Sequence, residues 1–523
     1  MKNVQLLDCT LRDGGYINNW NWGYENARDI IETLAKSDID VIEVGFLRNV
    51  EKYNPDITVC NNIEQLNSLL PERQKSTIFS AMAMQSNYDI ANLNPYEGSG
   101  IEMIRITAHD YDIENGMIFA KEVKARGYKL SINPINIMGY TDEKILWILE
   151  KVNDIRPYQF SIVDTFGSMR RRDLDRIVSL ADHNLEKDIR LSLHLHENMS
   201  FSYGLAQIFI DKNLDRTIAV DGSLMGIGRT PGNLPLELIA DYLNNYAGKA
   251  YGIDYMMDII QDYIARLRGK TEWGYMPVYF LSAKFNLHRN YAEYYLGKED
   301  LTNRDISYIL KDFDRDKATV FDLKYADEKY YAYKNQVIDD SKDLDGLKQE
   351  LTNRDILILA PGHSLSEYID EIKHFIEEQK PIIISVNFIP KEFAVHYAFF
   401  SNSKRIAKYD KFLCKLIVTS NLANMNIRAD YKINYSRLSG AFKQGSNSYV
   451  MLLKLLKEIS ADEKITVAGA DGYETSGINY GKEIVGIIPK HKEGYNIVVA
   501  KAVENLNLSI HYLTPSKYTV GVE

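Results

Sequence analysis

Eight short β-branched runs, each followed by a stretch of helical periodicity, fill the first 230 or so residues and leave this chain few folds to adopt. The runs are Val4–Asp8, Asp40–Val44, Thr77–Met82, Ile101–Ile106, Lys129–Asn133, Gln159–Val163, Arg190–His194 and Thr217–Val220. They recur about every 25–35 residues, the length of a βα unit. Segments such as Glu25–Lys36, Gly116–Arg126 and Asp173–His183 between them carry helical spacing. Eight such units predict a (β/α)8 barrel. An open doubly wound sheet is the competitor, but it would normally need fewer strands or a larger chain.

In a barrel of this kind the chemistry sits at the C-terminal ends of the strands. Those ends carry Asp8 with the following Arg12 and Asp13, then Glu43, Arg105, Asn133, Asp164, and His194 with His196. A glycine-rich loop, Gly226-Ile227-Gly228-Arg229-Thr230-Pro231-Gly232-Asn233, follows the eighth run. Alternation along a strand sends His194 and His196 to one side. Two imidazoles and a carboxylate from elsewhere make a site for a divalent cation. An arginine beside that carboxylate would fix positive charge where an enolate or oxyanion could form.

At 523 residues the chain is too long for one core, so two or three domains are expected. A formal net charge of −10 argues against a nucleic-acid or anionic-membrane partner. Cys9, Cys60 and Cys414 are far apart and show no zinc spacing, which suggests a reducing compartment. The N-terminus enters an apolar strand without a signal peptide. The apolar stretch Pro381–Phe400 is broken by Pro390, Lys391 and Glu392, so it cannot span a membrane. A cytoplasmic location is expected, and a homo-oligomer stays open.

The organisation reads as a barrel with a helical cap over residues 1–295, a charged region with some helix over 296–350, and a second α/β domain over 351–523. That last segment opens with a buried-strand signature, Ile356–Ala360, and a turn, Pro361-Gly362-His363-Ser364. Further strands are expected at Ile382–Val386, Leu416–Thr419, Ile465–Ala468 and Ser509–Leu513, giving a Rossmann-like domain. Gly362, Ser364, Gly445 and Asp471 are its candidate nucleotide contacts, because strand-to-helix turns can hold anions. The Gly-x-Gly-x-x-Gly fingerprint is absent, so nicotinamide binding is poorly supported.

Four segments carry a resemblance to a known family: Asp8-Cys9-Thr10-Leu11-Arg12-Asp13-Gly14, Ile42-Glu43-Val44-Gly45-Phe46, His194-Leu195-His196-Glu197-Asn198 and Gly226–Asn233. Together the chain resembles the DRE-type TIM-barrel metallolyases, and within them the 4-hydroxy-2-oxovalerate aldolase branch more than the 3-hydroxy-3-methylglutaryl-CoA lyases or the isopropylmalate and homocitrate synthases. The resemblance implies that Asp13, His194 and His196 bind a divalent metal, with Asn233 near or on it. It implies that Arg12 polarises the substrate carbonyl and that Glu43 supports the site. Arg105, Asn133 and Asp164 are candidate substrate contacts.

Two departures from the family matter. The aldolases carry a histidine base soon after Arg-Asp-Gly, where this chain has Tyr16. The lyases that cleave 3-hydroxy-3-methylglutaryl-CoA use a cysteine in the glycine-rich loop, which this chain lacks. The expected activity is therefore aldol cleavage or addition through the enolate of a 2-oxo acid such as pyruvate. Mn²⁺ or Mg²⁺ is the expected cofactor, with Zn²⁺ as an alternative, and Tyr16 or a metal-bound water the proton carrier. Alternatives are a Claisen-type acyl-CoA condensation, or a nucleotide-dependent sugar or pyrophosphoryl transfer in the second domain with the barrel as scaffold.

Overall fold

The computed structural model describes residues 3–71, 77–229, 231–298, 301–335, 337–425, 427–439, 447–473 and 493–519. It divides into two compact units. One comprises Met1–Glu293 with Leu310–Phe321, the other Tyr294–Ile309 with Asp322–Glu523.

The first unit is built on β1 (Val4–Asp8), β2 (Val41–Leu47), β3 (Val59–Cys60), β4 (Ile78–Met84), β5 (Met103–Ala108), β6 (Lys129–Pro134), β7 (Gln159–Asp164), β8 (Arg190–Leu195) and β9 (Ile218–Gly222). All pair in parallel, and β1 bonds to both β2 and β9, so eight strands close into a barrel with the two-residue β3 appended to β2. The closing register sets Val4 opposite Ile218 and Asp8 opposite Gly222. The eight expected runs all become barrel strands, and the competing open sheet is not found in this unit.

Alternation then sorts the side chains. On β8, Leu191, Leu193 and Leu195 join the large apolar cluster that includes Ile177 and Val178 of the helix Arg171–Asn184 and Leu205 and Phe209 of the helix Ser202–Asp211. Ser192 and His194, on the other face, meet Asp221 of β9. Glu43, Ser80, Arg105, Ser131, Asn133, Ser161, Ser192 and Asp221 are all buried. The barrel interior is thus polar near the strand ends, above a small apolar plug of Leu7, Cys9, Val41, Ile78 and Met103. Within this polar layer Glu43, Arg105, Asn133, Ser192 and Asp221 are tied by hydrogen bonds and ion pairs, while the Ser80 and Ser161 hydroxyls find no partner among the described residues.

The second unit holds a seven-stranded parallel sheet of β10 (Ile356–Leu359), β11 (Ile382–Val386), β12 (Tyr397–Phe400), β13 (Lys415–Thr419), β14 (Tyr431–Ile433), β15 (Ile465–Ala468) and β16 (Ile510–Tyr512). Their order is β14-β13-β12-β11-β10-β15-β16, which reverses between β10 and β15. The run Ile356-Leu357-Ile358-Leu359 is apolar throughout because both faces are covered. Ile356 and Ile358 pack with the helix Ser448–Glu458, and Leu357 and Leu359 with Ile372 of the helix Ile369–Gln379. β12 and β14 are strands that the sequence pattern did not reveal. The charged stretch before β10 contains the helices Asn303–Lys311, Leu323–Lys334 and Ser341–Leu351. No helix among the described residues is long and apolar enough to cross a membrane.

Glycine is required where β10 and β15 end. Gly469 has φ +77°, and a Cβ there would stand 2.1 Å from the Ala360 carbonyl oxygen. Gly469→Ala is expected to destabilise the protein by about 2 kcal/mol or more, through strained backbone and steric overlap. A urea-unfolding midpoint unchanged from the parent protein would refute this account of the crossing.

Candidate metal centre

β1 ends at Asp8, and the short helical turn Thr10–Asp13 that follows is buried at every residue. Asp13 Oδ2 lies 3.6 Å from His194 Nε2 and 3.9 Å from His196 Nε2. These separations are too long for hydrogen bonds, and Asp13 Oδ2 is buried without a hydrogen-bond partner. They suit donors that share one cation, each standing about 2.0–2.2 Å from it. Asp13, His194 and His196 form a group with the composition and spacing to hold a metal ion.

Each imidazole is held by its other nitrogen. His194 Nδ1–H donates to Asp221 Oδ2 at 3.2 Å, and His196 Nδ1–H donates to the Asp164 carbonyl oxygen at 2.9 Å. Both rings therefore present the Nε2 lone pair toward Asp13, the arrangement usual for metal-ligating histidines. Burial alone would raise the Asp13 pKa. The Arg12 charge and the two imidazoles outweigh it and hold the carboxyl well below the usual range. Burial and the neighbouring His194 charge lower His196 to about 4, so it stays neutral. His194 moves up despite burial, because Asp221 bonds to it and the negative charges of Asp221 and Asp13 lie close by.

Asn233 completes the cluster. It forms an antiparallel bridge with His196, and its Nδ2 donates to the Ile227 carbonyl oxygen at 3.2 Å. That bond leaves Asn233 Oδ1 buried without a partner. The glycine loop permits this placement. Gly232 has φ +102°, and a Cβ there would meet the Gly226 carbonyl oxygen at 2.3 Å. The orphaned Asp13 oxygen beside two oriented imidazoles fits a divalent cation of the Mg²⁺, Mn²⁺ or Zn²⁺ class.

A chain of ion pairs runs round this group. Arg12 Nη1 lies 3.0 Å from Asp13 Oδ1, and Arg12 Nε donates to Glu43 Oε2 at 2.7 Å. The same Glu43 oxygen lies 3.1 Å from Arg105 Nη1, and Arg105 Nη2 donates to Asp221 Oδ2. Asp221 returns to His194. Three carboxylates and two guanidiniums leave one net negative charge with the histidine neutral, which favours a cation. Burial is opposed by Arg105 and His194 to hold Asp221 at about 2.

Arg12, Asp13, Glu43, Arg105, His194, His196 and Asn233 therefore come together. Asn133 orients Arg105, accepting from its Nη2 at 3.2 Å. The Asp164 carboxylate turns away and accepts from the backbone N–H groups of Ser168 at 2.9 Å and Met169 at 3.1 Å, so its carbonyl alone reaches the cluster. Tyr16 lies at the rim, half exposed, its ring 4.7 Å from Trp20 and 6.5 Å from Phe46. Asp221 is a site residue that sequence reasoning missed. It stands at a strand end like the others, one position beyond where the eighth run was closed.

In the second unit, Ser364 N–H donates to Asp471 Oδ2 at 2.8 Å, and Gly362 N–H to the Gly469 carbonyl oxygen at 2.8 Å. The Asp471 carboxylate thus fills the place at the helix start that a bound anion would take. Gly445 lies outside the described residues.

Residues 3–259 match the HMGL-like family model, and the first half of the chain is an HMGL-like domain, consistent with the DRE-type metallolyase superfamily. The chain is 23% identical over 239 residues to an oxaloacetate decarboxylase of Mycobacterium tuberculosis, covering 45% of this chain and 68% of that protein. It is 24% identical over 294 residues to a 4-hydroxy-2-oxovalerate aldolase of Pseudoalteromonas translucida, covering 53% of this chain and 83% of that one. Among solved structures, the HMG-CoA lyase of Bacillus subtilis superposes with a TM-score of 0.43 at 15% identity, covering 53% of this chain and 96% of that one. The two sequence relatives are a decarboxylase and an aldolase, which supports an enzyme.

If Asp221 orients His194 for metal binding, Asp221→Asn should weaken Mn²⁺ affinity about 10–100-fold, the usual effect of losing a partner that orients a ligand. Calorimetric titration of the metal-free protein measures it, and unchanged affinity would sever Asp221 from the centre.

Proposed function

We propose that the barrel is a divalent-metal-dependent carbon–carbon lyase that cleaves or forms 4-hydroxy-2-oxo acids through the enolate of pyruvate or a similar 2-oxo acid. The observation that carries this reading is the orphaned Asp13 Oδ2 facing two imidazole Nε2 atoms, with Arg12 fixed 3.0 Å from its other oxygen. Asp13, His194, His196 and Asn233 would hold Mn²⁺ or Mg²⁺. When bound, the ion supplies Lewis-acid polarisation of the 2-oxo group.

The chain's own residues divide the remaining work. Arg12 is locked by Glu43 and Asp13, so its charge is aimed before substrate arrives, and it stabilises the oxygen that becomes negative as the bond breaks. Glu43 and Arg105 keep it there and do not meet the substrate. In cleavage the C4 hydroxyl loses its proton and the C3–C4 bond breaks. Its electron pair moves into the C2–C3 enolate, and an aldehyde leaves. Protonation at C3 then gives the 2-oxo acid. Tyr16 is the side chain we assign to carry the hydroxyl proton at the barrel mouth. Decarboxylation of a 3-carboxy-2-oxo acid would use the same enolate, and the similarity to an oxaloacetate decarboxylase favours it as the second reading.

Pyruvate release from a panel of 4-hydroxy-2-oxo acids, and from oxaloacetate, tests both readings. Release should need Mn²⁺ or Mg²⁺, vanish with chelator and return on adding metal back. Asp13→Asn should lower turnover by at least about a thousandfold, and Arg12→Lys by about 10²–10³. Turnover that survives Asp13→Asn would remove the barrel centre as the seat of the reaction. Tyr16→Phe should lower kcat about 10²–10⁴-fold, the range for a proton-transfer group. A variant as fast as the parent would take the base role from Tyr16.

A further inference from the structure

Arg229 is a guanidinium of the barrel unit that the ring of ion pairs does not use. It belongs to the glycine loop that ends at Asn233, and its carbonyl accepts from Gly232 N–H at 2.8 Å. Its Nη2 donates to His288 Nε2 at 2.6 Å, and its Cζ stands 5.7 Å over the Tyr16 ring. His288 gives no countercharge. Burial and the charges of Arg229 and Arg289 hold its pKa near 3, so it accepts as a neutral imidazole. The carboxylates whose charge reaches Arg229, Asp13 and Glu293, are engaged elsewhere. Asp13 pairs with Arg12, while Glu293 accepts from the Tyr279 hydroxyl at 3.1 Å and lies 3.9 Å from Arg289.

A second arginine shares this setting. Arg48 Cζ stands 4.0 Å over Phe46 and 4.8 Å over Trp20, and its Nε is buried with no hydrogen-bond partner. Tyr16, Trp20 and Phe46 form one aromatic cluster, which Arg12 also touches at 5.8 Å from the Phe46 ring. Arg229 and Arg48 thus stand on the same cluster. Among the described residues neither has a carboxylate within ion-pair distance. A guanidinium has five N–H donors, and one held partly out of water without an anion is costly. Arginines so placed are suited to paired hydrogen bonds with a carboxylate or phosphate.

The 2-oxo end of a substrate has its own cation and Arg12. A second anion site at the mouth therefore faces the other half of the molecule. We propose that Arg229, with Arg48, binds an anionic group on the aldehyde half, so that the substrates are hydroxy-2-oxo acids whose leaving aldehyde carries a carboxylate or phosphate. This inference rests on the enolate reading above.

The test uses the full-length protein in two parts. Mn²⁺-dependent exchange of the pyruvate methyl protons into D₂O, followed by NMR, reads the enolate step with no aldehyde present. Aldol addition of pyruvate is then compared across matched acceptors: succinic semialdehyde against butanal, and glyceraldehyde 3-phosphate against glyceraldehyde. The anionic member of at least one pair should be preferred about tenfold or more in kcat/KM, through KM. The preferred pair identifies the anion. Arg229→Gln should cut that preference about tenfold, while Arg229→Lys keeps part of it. Each variant is scored on its own ratio, and its exchange rate shows that it has folded. Exchange with equal use of charged and neutral acceptors overturns this inference alone, as does a preference that survives Arg229→Gln. Absence of exchange overturns the enolate reading and the inference with it.

Discussion

Six side chains from five barrel strands and their loops are joined end to end in the first unit: Asp13, Arg12, Glu43, Arg105, Asp221 and His194. Charge of this density inside a protein is tolerable only when every member has a partner of the opposite sign or a hydrogen bond. That constraint orders the surroundings. Asn133 and Ser192 exist in the interior to satisfy Arg105 and Asp221, and the Asp164 carbonyl does the same for His196. The contact left longest, between Asp13 and the two imidazoles, is where a positive ion would complete the set.

The same constraint gives several of these residues the work of holding others in place. Glu43, Arg105 and Asn133 are as buried as any leucine of the core. Glu43 holds Arg12 directly, and Arg105 reaches His194 through Asp221. Arg12 has both a fixed position and a neighbouring aromatic face, so its charge needs little reorganisation when an oxyanion forms.

Much of this was legible in the residue order. Strand alternation places His194 and His196 on one face, and the strand-end rule picks out Arg12, Asp13, Glu43 and Arg105. Asp221 escaped because the eighth run was closed at Val220, although the same rule applied one position later would have found it. The direction of a side chain was harder to read. Asp164 stands at a strand end, yet two backbone N–H groups in the next loop capture its carboxylate, and such capture depends on a turn that no local pattern specifies. Arg229 was visible only as a letter in a glycine-rich motif. Its placement over Tyr16 comes from a turn closed by Gly232, and its isolation from the distant His288. In the second unit, β14 is three residues long with a lysine at its centre, too short for periodicity to register.

The ring draws on both the earliest and the latest strands of the barrel, and this ties maturation of the centre to completion of the fold. Glu43 and Arg105 lie on β2 and β5, so they leave the ribosome before His194 of β8 and Asp221 of β9. Until then Asp13, Arg12, Glu43 and Arg105 can pair only with one another, and Arg105 lacks its second carboxylate. Pairing of β9 with β1 closes the barrel and brings Asp221 to Arg105. The ring of ion pairs and the pair of imidazoles beside Asp13 are therefore complete only in the closed barrel, and a chain cut before β8 lacks both imidazoles.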